Sequence, residues 1–227
     1  MYPMNVCQCP GCTKFALSNF DSEGNIVETP GFCLEHTPNK AEQIYAIRQY
    51  VLTHEKIVGL NASGIKIDNI ELENKKFYGC NLQHCTLTNV HAKGMRARMC
   101  AMDFCTVTDS DFLSTNIQFT TFSGSKLVHV LFTGSDLIHN NFNGITAYQS
   151  SFDDSDLYNS RFIKAILINT SMKNCNLKKA VFYDSVREGV SFKLSNTREA
   201  LADRRKGGLM GDLEAQFLEE ETEGDSL

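Results

Sequence analysis

Residues 110–157 read SDFLS TNIQF TTFSG SKLVH VLFTG SDLIH NNFNG ITAYQ SSFDD SDL when written in fives. The third member of every group is apolar: Phe112, Ile117, Phe122, Leu127, Phe132, Leu137, Phe142, Ala147, Phe152, Leu157. Extended in both directions, the same frame holds without a slip from Ile67 to Phe182, twenty-four apolar centres in a chain whose overall apolar content is 42%. A period of five matches neither a helix, near 3.6, nor a strand, at 2. It matches a backbone that turns a corner every five residues, as a solenoid does.

A second column lies two positions before each centre and is mostly small: Cys80, Cys85, Ser110, Thr115, Ser125, Ser135, Ser150, Ser155, Ser160, Ala165, Cys175 and Ala180. The residue between the two columns is mostly polar, as at Asn81, Asp111, Asn116, Asp136, Asn141, Asp156 and Asn176. Segments such as Ser-Asp-Phe at 110–112, Ser-Asp-Leu at 135–137 and Cys-Asn-Leu at 175–177 resemble the pentapeptide-repeat family, whose unit is roughly A(D/N)LXX. The resemblance covers about residues 65–195. It implies an all-β solenoid, a right-handed quadrilateral β-helix with four pentapeptides per coil and about six coils.

In such a fold, centres twenty apart stack at the strand spacing of about 4.8 Å. Phe112, Phe132 and Phe152 are then expected to form one interior ladder, and Phe122, Phe142, Phe162 and Phe182 another. Each buried Leu or Phe contributes roughly 1.5–3 kcal/mol, enough to hold coils together without a globular core. Asn140, in the small column, calls for an internal hydrogen-bond partner. Lys75, also in that column, is assigned to a region ahead of the regular coils.

The apolar frame breaks at Arg187, beyond which Val190 and Phe192 supply one last face. A solenoid also needs covered ends. Upstream, Asn39 with Glu42 three residues later reads as a capping box opening an amphipathic helix over about 40–57. Downstream, Asn196 and Glu199 repeat that pattern, predicting a helix to Lys206. The organisation is thus a zinc-finger-like module at 1–38, a capping helix and entry at 39–64, the repeats at 65–195, and a C-terminal helix and acidic tail at 196–227. The tail's Leu209, Met210, Leu213, Phe217 and Leu218 form an apolar set suited to docking on a partner, or back on the chain itself.

The N-terminal segment holds the chemistry. Cys7-Gln-Cys9-Pro-Gly-Cys12 is followed after twenty residues by Cys33-Leu-Glu-His36. Paired thiolate and imidazole donors on tight turns, separated by a loop, suit tetrahedral zinc. The segment resembles small zinc fingers of the Cys-x4-Cys…Cys-x2-His type, which implies Zn2+ held structurally by Cys7, Cys12, Cys33 and His36. A Cys-x2-Cys reading puts Cys9 in place of Cys7, and both stay open.

Charge narrows the function. Residues 1–40 carry Lys14 and Lys40 against Asp21, Glu23, Glu28 and Glu35, which argues against nucleic acid, since phosphate binding needs a basic footprint. Residues 65–195 hold fourteen Lys/Arg and twelve Asp/Glu, so the chain's net charge of −5 arises mainly in 196–227. Some members of the family are acidic dimers that resemble duplex DNA and bind gyrase. A near-neutral prism is a poor mimic of that kind, which leaves binding and modulation of gyrase or topoisomerase as the alternative reading.

The preferred expectation is a non-enzymatic scaffold or adaptor for protein partners, with exposed faces and end coils that leave room for a homodimer. A convex prism offers no cleft for a catalytic set. The remaining cysteines read as small, buried filler. Nine cysteines, with no signal peptide and no long apolar segment, fit a reducing cytoplasm and no membrane span.

Overall fold

The computed structural model describes residues 5–203. Its dominant feature is a backbone event repeated at every fifth residue: from Gly59 to Glu199, each such position has φ between +46° and +81°. Left-handed backbone suits Gly, Asn and Asp and costs other residues about 1–2 kcal/mol. Gly59, Gly64, Asn69, Asn74 and Gly79 open the series. Four such corners return the chain to its starting side after twenty residues.

The coils therefore stack in parallel register. Strands β4 (Lys66–Glu71), β6 (Thr86–His91), β8 (Thr106–Asp111) and β10 (Lys126–Leu131) lie side by side in one sheet with β11 (Thr146–Tyr148), β12 (Ile166–Ile168) and β13 (Val186–Glu188). Strands β3 (Lys56–Val58), β5 (Lys76–Tyr78), β7 (Arg96–Arg98) and β9 (Asn116–Gln118) form a second wall. Single bridges such as Asn81↔Ala101, Ala101↔Thr121 and Asp136↔Asp156 complete the others. Residue n always pairs with n+20, as in Leu127↔Ala147 and Leu167↔Arg187. The result is a parallel β-solenoid of about seven turns, where the family resemblance implied a quadrilateral β-helix of about six coils.

The centres fill it. All twenty-four lie in the interior: Leu82 is half-buried and the other twenty-three are buried. The two expected phenylalanine ladders are present, with Phe112–Phe132 and Phe132–Phe152 centroids 5.1 Å apart. Phe122, Phe142, Phe162 and Phe182 follow at 5.1, 5.0 and 4.9 Å. Between ladders the rings meet edge-on, Phe142 against Phe152 at 5.7 Å. Stacked and edge-to-face rings are the favoured aromatic geometries.

The small column is polar for a reason that the frame alone does not state. Ser135 Oγ donates to Phe112 O at 2.9 Å and accepts the Thr115 N–H at 2.9 Å. Ser155 and Ser160 repeat the pattern one coil on. An inward hydroxyl thus serves a carbonyl and an amide of the coil beneath it, so its burial leaves nothing unpaired. Asn140 finds its partners in the same way: its Oδ1 takes the Thr120 N–H at 2.9 Å and its Nδ2 donates to Ile117 O at 2.7 Å. Cys80, Cys85, Cys100, Cys105 and Cys175 are buried free thiols in this column, and burial pushes Cys175 up to about 12.

Both ends depart from expectation. Helix α1 spans Lys40–Thr53 and stops at His54, whose backbone is extended, instead of continuing to 57. Ile57 lies on the five-residue frame and is fully buried in β3, so coil pairing begins at Lys56, ahead of the repeat start expected at 65. Ile47 and Val51 of α1 are buried in the same core as Leu60 and Ala62, which closes the first coil. Lys75 belongs to the regular coils, not to a preceding region, and its Nζ donates to Leu52 O and His54 O at 2.8 and 3.0 Å. It thereby caps the C-terminus of α1.

At the far end the frame continues through Arg187, which pairs with Leu167. The predicted helix from Asn196 is absent over the described residues. Asn196 pairs with Asn176 and Leu201 with Val181, extending the coils, because Asn196 and Glu199 fall on the polar and corner positions of another pentapeptide. Among the described residues α1 is the single helix, and none is long and apolar enough to cross a membrane. An apolar cavity of about 30 Å³ remains under α1, where Ala62 and Ala97 occupy centres.

Two outcomes follow from this architecture. Phe142→Ala removes a ring that is fully buried between Phe122 and Phe162, and chemical denaturation should show a loss of about 3–5 kcal/mol. The second concerns His91, whose ring is hydrogen-bonded to the Asp111 carboxylate of the next coil, and this raises its pKa. The charged pair's contribution is therefore full below about 6.5, the usual His value, and fades as pH rises through the raised one. An NMR titration should place His91 above its usual value in the parent and return it in Asp111→Asn.

Candidate metal centre

Two short turns bring the N-terminal donors together. In the first, the Cys12 N–H donates to Cys9 O at 3.0 Å, with Gly11 at φ 78°. In the second, the amides of His36 and Thr37 both reach Cys33 O, at 3.0 and 2.9 Å. A bridge between Val6 and Phe15, and Gln8 N–H to Gly31 O at 2.9 Å, holds the two turns side by side. Strands β1 (Asn19–Phe20) and β2 (Ile26–Val27) form the hairpin between them.

One donor atom from each of Cys7, Cys12, Cys33 and His36 lies within 4.8 Å of all the others. Cys7 Sγ and Cys33 Sγ stand 3.5 and 3.3 Å from His36 Nδ1, and Cys12 Sγ stands 3.9 Å from Cys33 Sγ. Zinc–ligand bonds of about 2.3 Å to sulfur and 2.0–2.1 Å to nitrogen set tetrahedral edges of about 3.8 Å between sulfurs and about 3.6 Å between sulfur and nitrogen. The donor set fits a tetrahedral ion. Burial of Cys7 opposes its ionisation, yet hydrogen bonds from the Cys33 and Cys9 backbone and the His36 ring hold its thiol down at about 6. The Cys9 thiol is not among the four gathered donors.

The module is stitched to the first coil. Ser18 N–H donates to Asn61 O at 3.0 Å, and Asn61 N–H returns a bond to Ser18 Oγ at 2.8 Å. The buried Asn61 amide also donates to Ala16 O, and Leu17 joins the core of the β-helix. Sequence patterns did not single out Asn61, although Asn in the polar column two coils before Ala101 was a visible signal. A groove of about 550 Å³ runs between the module and the coils, lined by Phe15, Leu34, Asn81, Gln83 and His84 among others.

The other polar groups are engaged in the repeat itself. Asp153 accepts Ser171 Oγ at 2.6 Å and the Lys173 amide at 2.7 Å, while Asp154 and Asp156 take the side chains of Asn174 and Asn176. His129 sits between Asp109 and Gln149. The predicted docking residues Leu209, Met210, Leu213, Phe217 and Leu218 lie outside the described residues.

Residues 115–154 and 155–185 match the family model for pentapeptide repeats, eight copies in all. No curated protein matches the chain. Solved structures similar to it include a trypsin-treated form of QnrB1, a plasmid-mediated fluoroquinolone resistance protein, 14% identical over 70% of this chain and 97% of that one, TM-score 0.44. HetL, involved in heterocyst differentiation regulation in the cyanobacterium Nostoc sp. strain PCC 7120, is 11% identical over 65% and 89%, TM-score 0.23. Rfr23 of the cyanobacterium Cyanothece is 13% identical over 69% and 97%, TM-score 0.24. Residues 115–185 thus carry pentapeptide repeats by the family match, and the same five-residue unit and four-cornered parallel coils extend beyond the matched stretch.

Proposed function

We propose that this protein is a non-enzymatic scaffold for protein partners, with a structural Zn2+ held by Cys7, Cys12, Cys33 and His36. The observation that carries the reading is the compact Cys3His donor set on a module hydrogen-bonded to the first coil. Four protein ligands close a zinc ion's coordination and leave no position for substrate, so the metal's contribution is rigidity. A fixed module on a stiff prism offers an outside partner a defined surface instead of a mobile finger.

The gyrase alternative requires a long negative field. It is not favoured by the wall on which Lys56, Lys76 and Arg96 follow one another up β3, β5 and β7, with Arg98 beside them. Partner identity on this reading is set by the groove at the module and by the outward corners.

Elemental analysis of purified protein should find about one zinc per chain. Cys33→Ser should lose it and expose the 1–38 module to protease, while the coils keep their β circular dichroism. A fully folded, metal-free parent would refute the zinc site. For the scaffold itself, full-length protein should capture a discrete partner from lysate, and Cys33→Ser should release it. Capture that is indifferent to the module would sink the role given to it.

A further inference from the structure

One wall of the solenoid is electrically divided. The outward residues that pair in sequence from β3 through β5, β7 and β9 are Lys56, Lys76, Arg96, Asn116, Asp136 and Asp156. Cations hold one end, carboxylates the other, and a neutral amide stands between them. Like charges stacked directly on one another are destabilising, so this order is costly in a chain that stands alone. The wall built on β4, β6 and β8 shows no such division, reading Lys66, Thr86, Thr106, Lys126, Thr146 and Ile166. Glu55 pairs with Lys76 within the chain, and among the described residues no acid pairs with Lys56 or Arg96. Asn116 and Asp136 each keep one side-chain oxygen without a donor among the described residues.

Both halves of a complementary surface are therefore on one wall, and a second copy of the chain is the partner that matches them. A two-fold axis lying in the wall, parallel to its strands and between β7 and β9, turns the wall over and sets each column against itself. Lys76 then meets Asp136 of the second copy, Lys56 meets Asp156, and Arg96 meets Asn116. The next outward column, which holds Val58, Tyr78, Arg98 and Gln118, is matched by the same operation. Val58 falls on Tyr158, Tyr78 on Ile138 and Arg98 on Gln118. Val58, Tyr78, Ile138 and Tyr158 are all half-buried and outward. No like charges are opposed in either column. An axis through β9 itself would instead set Arg98 on Ile138 and Val58 on Lys178, so the axis between β7 and β9 is the one that meets charge with charge and apolar with apolar.

We propose that two copies of this protein pack antiparallel, face to face, through the wall from Lys56 to Asp156. The wall is about 24 Å tall at the strand spacing and at most about 17 Å wide, so each copy contributes about 400 Å², half of a standard interface. The dimer is accordingly weak, and salt controls it. Its partner is the chain itself, so the contact stands apart from the scaffold reading and from metal at the module.

Sedimentation equilibrium of the full chain at about 0.1–1 mM should show monomer and dimer in exchange. Raising NaCl from about 0.05 to 1 M should weaken the association about tenfold as the pairs are screened. Lys56→Glu with Lys76→Glu puts carboxylates at both ends of the wall, and Asp136→Lys with Asp156→Lys puts cations at both. Each variant, with its coils verified by circular dichroism, should be monomeric alone. Mixed in equal amounts the two should pair, because each supplies the charge that the other has lost. A second readout does not depend on those variants folding. With p-benzoylphenylalanine in place of Tyr78, an irradiated mixture of light and ¹⁵N-labelled chains should cross-link light to heavy at 136–140. A parent that stays monomeric, variants that dimerise alone, a mixture that does not pair, or cross-links confined to one chain would each overturn the proposal.

Discussion

A left-handed residue at every fifth position, from Gly59 to Glu199, is the constraint on which this structure rests. Each one turns the backbone through a corner, and four of them align residue n with n+20 so that every coil hydrogen-bonds the next. Parallel pairing normally needs a long crossover. Here the coil is itself the crossover, so the sheet walls and their connections are the same residues. The cost of so many left-handed residues is met because both inward positions of each pentapeptide are buried.

The inside admits little variety. A ring at one centre rests on the ring a coil below, as Phe142 does on Phe122, and the position two before it must be small and self-satisfying. Serine does this by serving a carbonyl and an amide of the adjacent coil, cysteine by being small and apolar. Such an interior is filled almost entirely by packing. Two features break the repeat's own rules, the Cys3His turns and the exposed apolar corner residues Met99, Phe104, Phe119 and Leu194.

The two ends are covered by different means. At the N-terminus, α1 lays Ile47 and Val51 over the first coil, Lys75 secures the helix end, and Ser18 with Asn61 ties on the donor-bearing module. This couples any ion at the module to the first coil of the β-helix. At the other end the coils run on past the expected stop, through Arg187 to Leu201.

Read as sequence, the spacing of Ile67 to Phe182 was enough to specify the solenoid, and the four-pentapeptide coil that the family resemblance implied then set the two phenylalanine ladders and the need for a partner at Asn140. The paired spacings likewise pointed to Cys12, Cys33 and His36 but left Cys7 and Cys9 open, and only the folded turns gather Cys7 with the other three. What only the folded chain decided were matters of competition between a local signal and a neighbour twenty residues away. Asn196 and Glu199 make a sound capping box by themselves, but pairing with Asn176 draws Asn196 into a coil and puts Glu199 at a left-handed corner. Ile57 continues the helical pattern of α1, but the register of β5 claims it for a strand. Met99, Phe104 and Phe119 look like ordinary apolar residues until the corners are known. Their exposure and strain follow from backbone φ, which single residues do not announce and stacked coils impose.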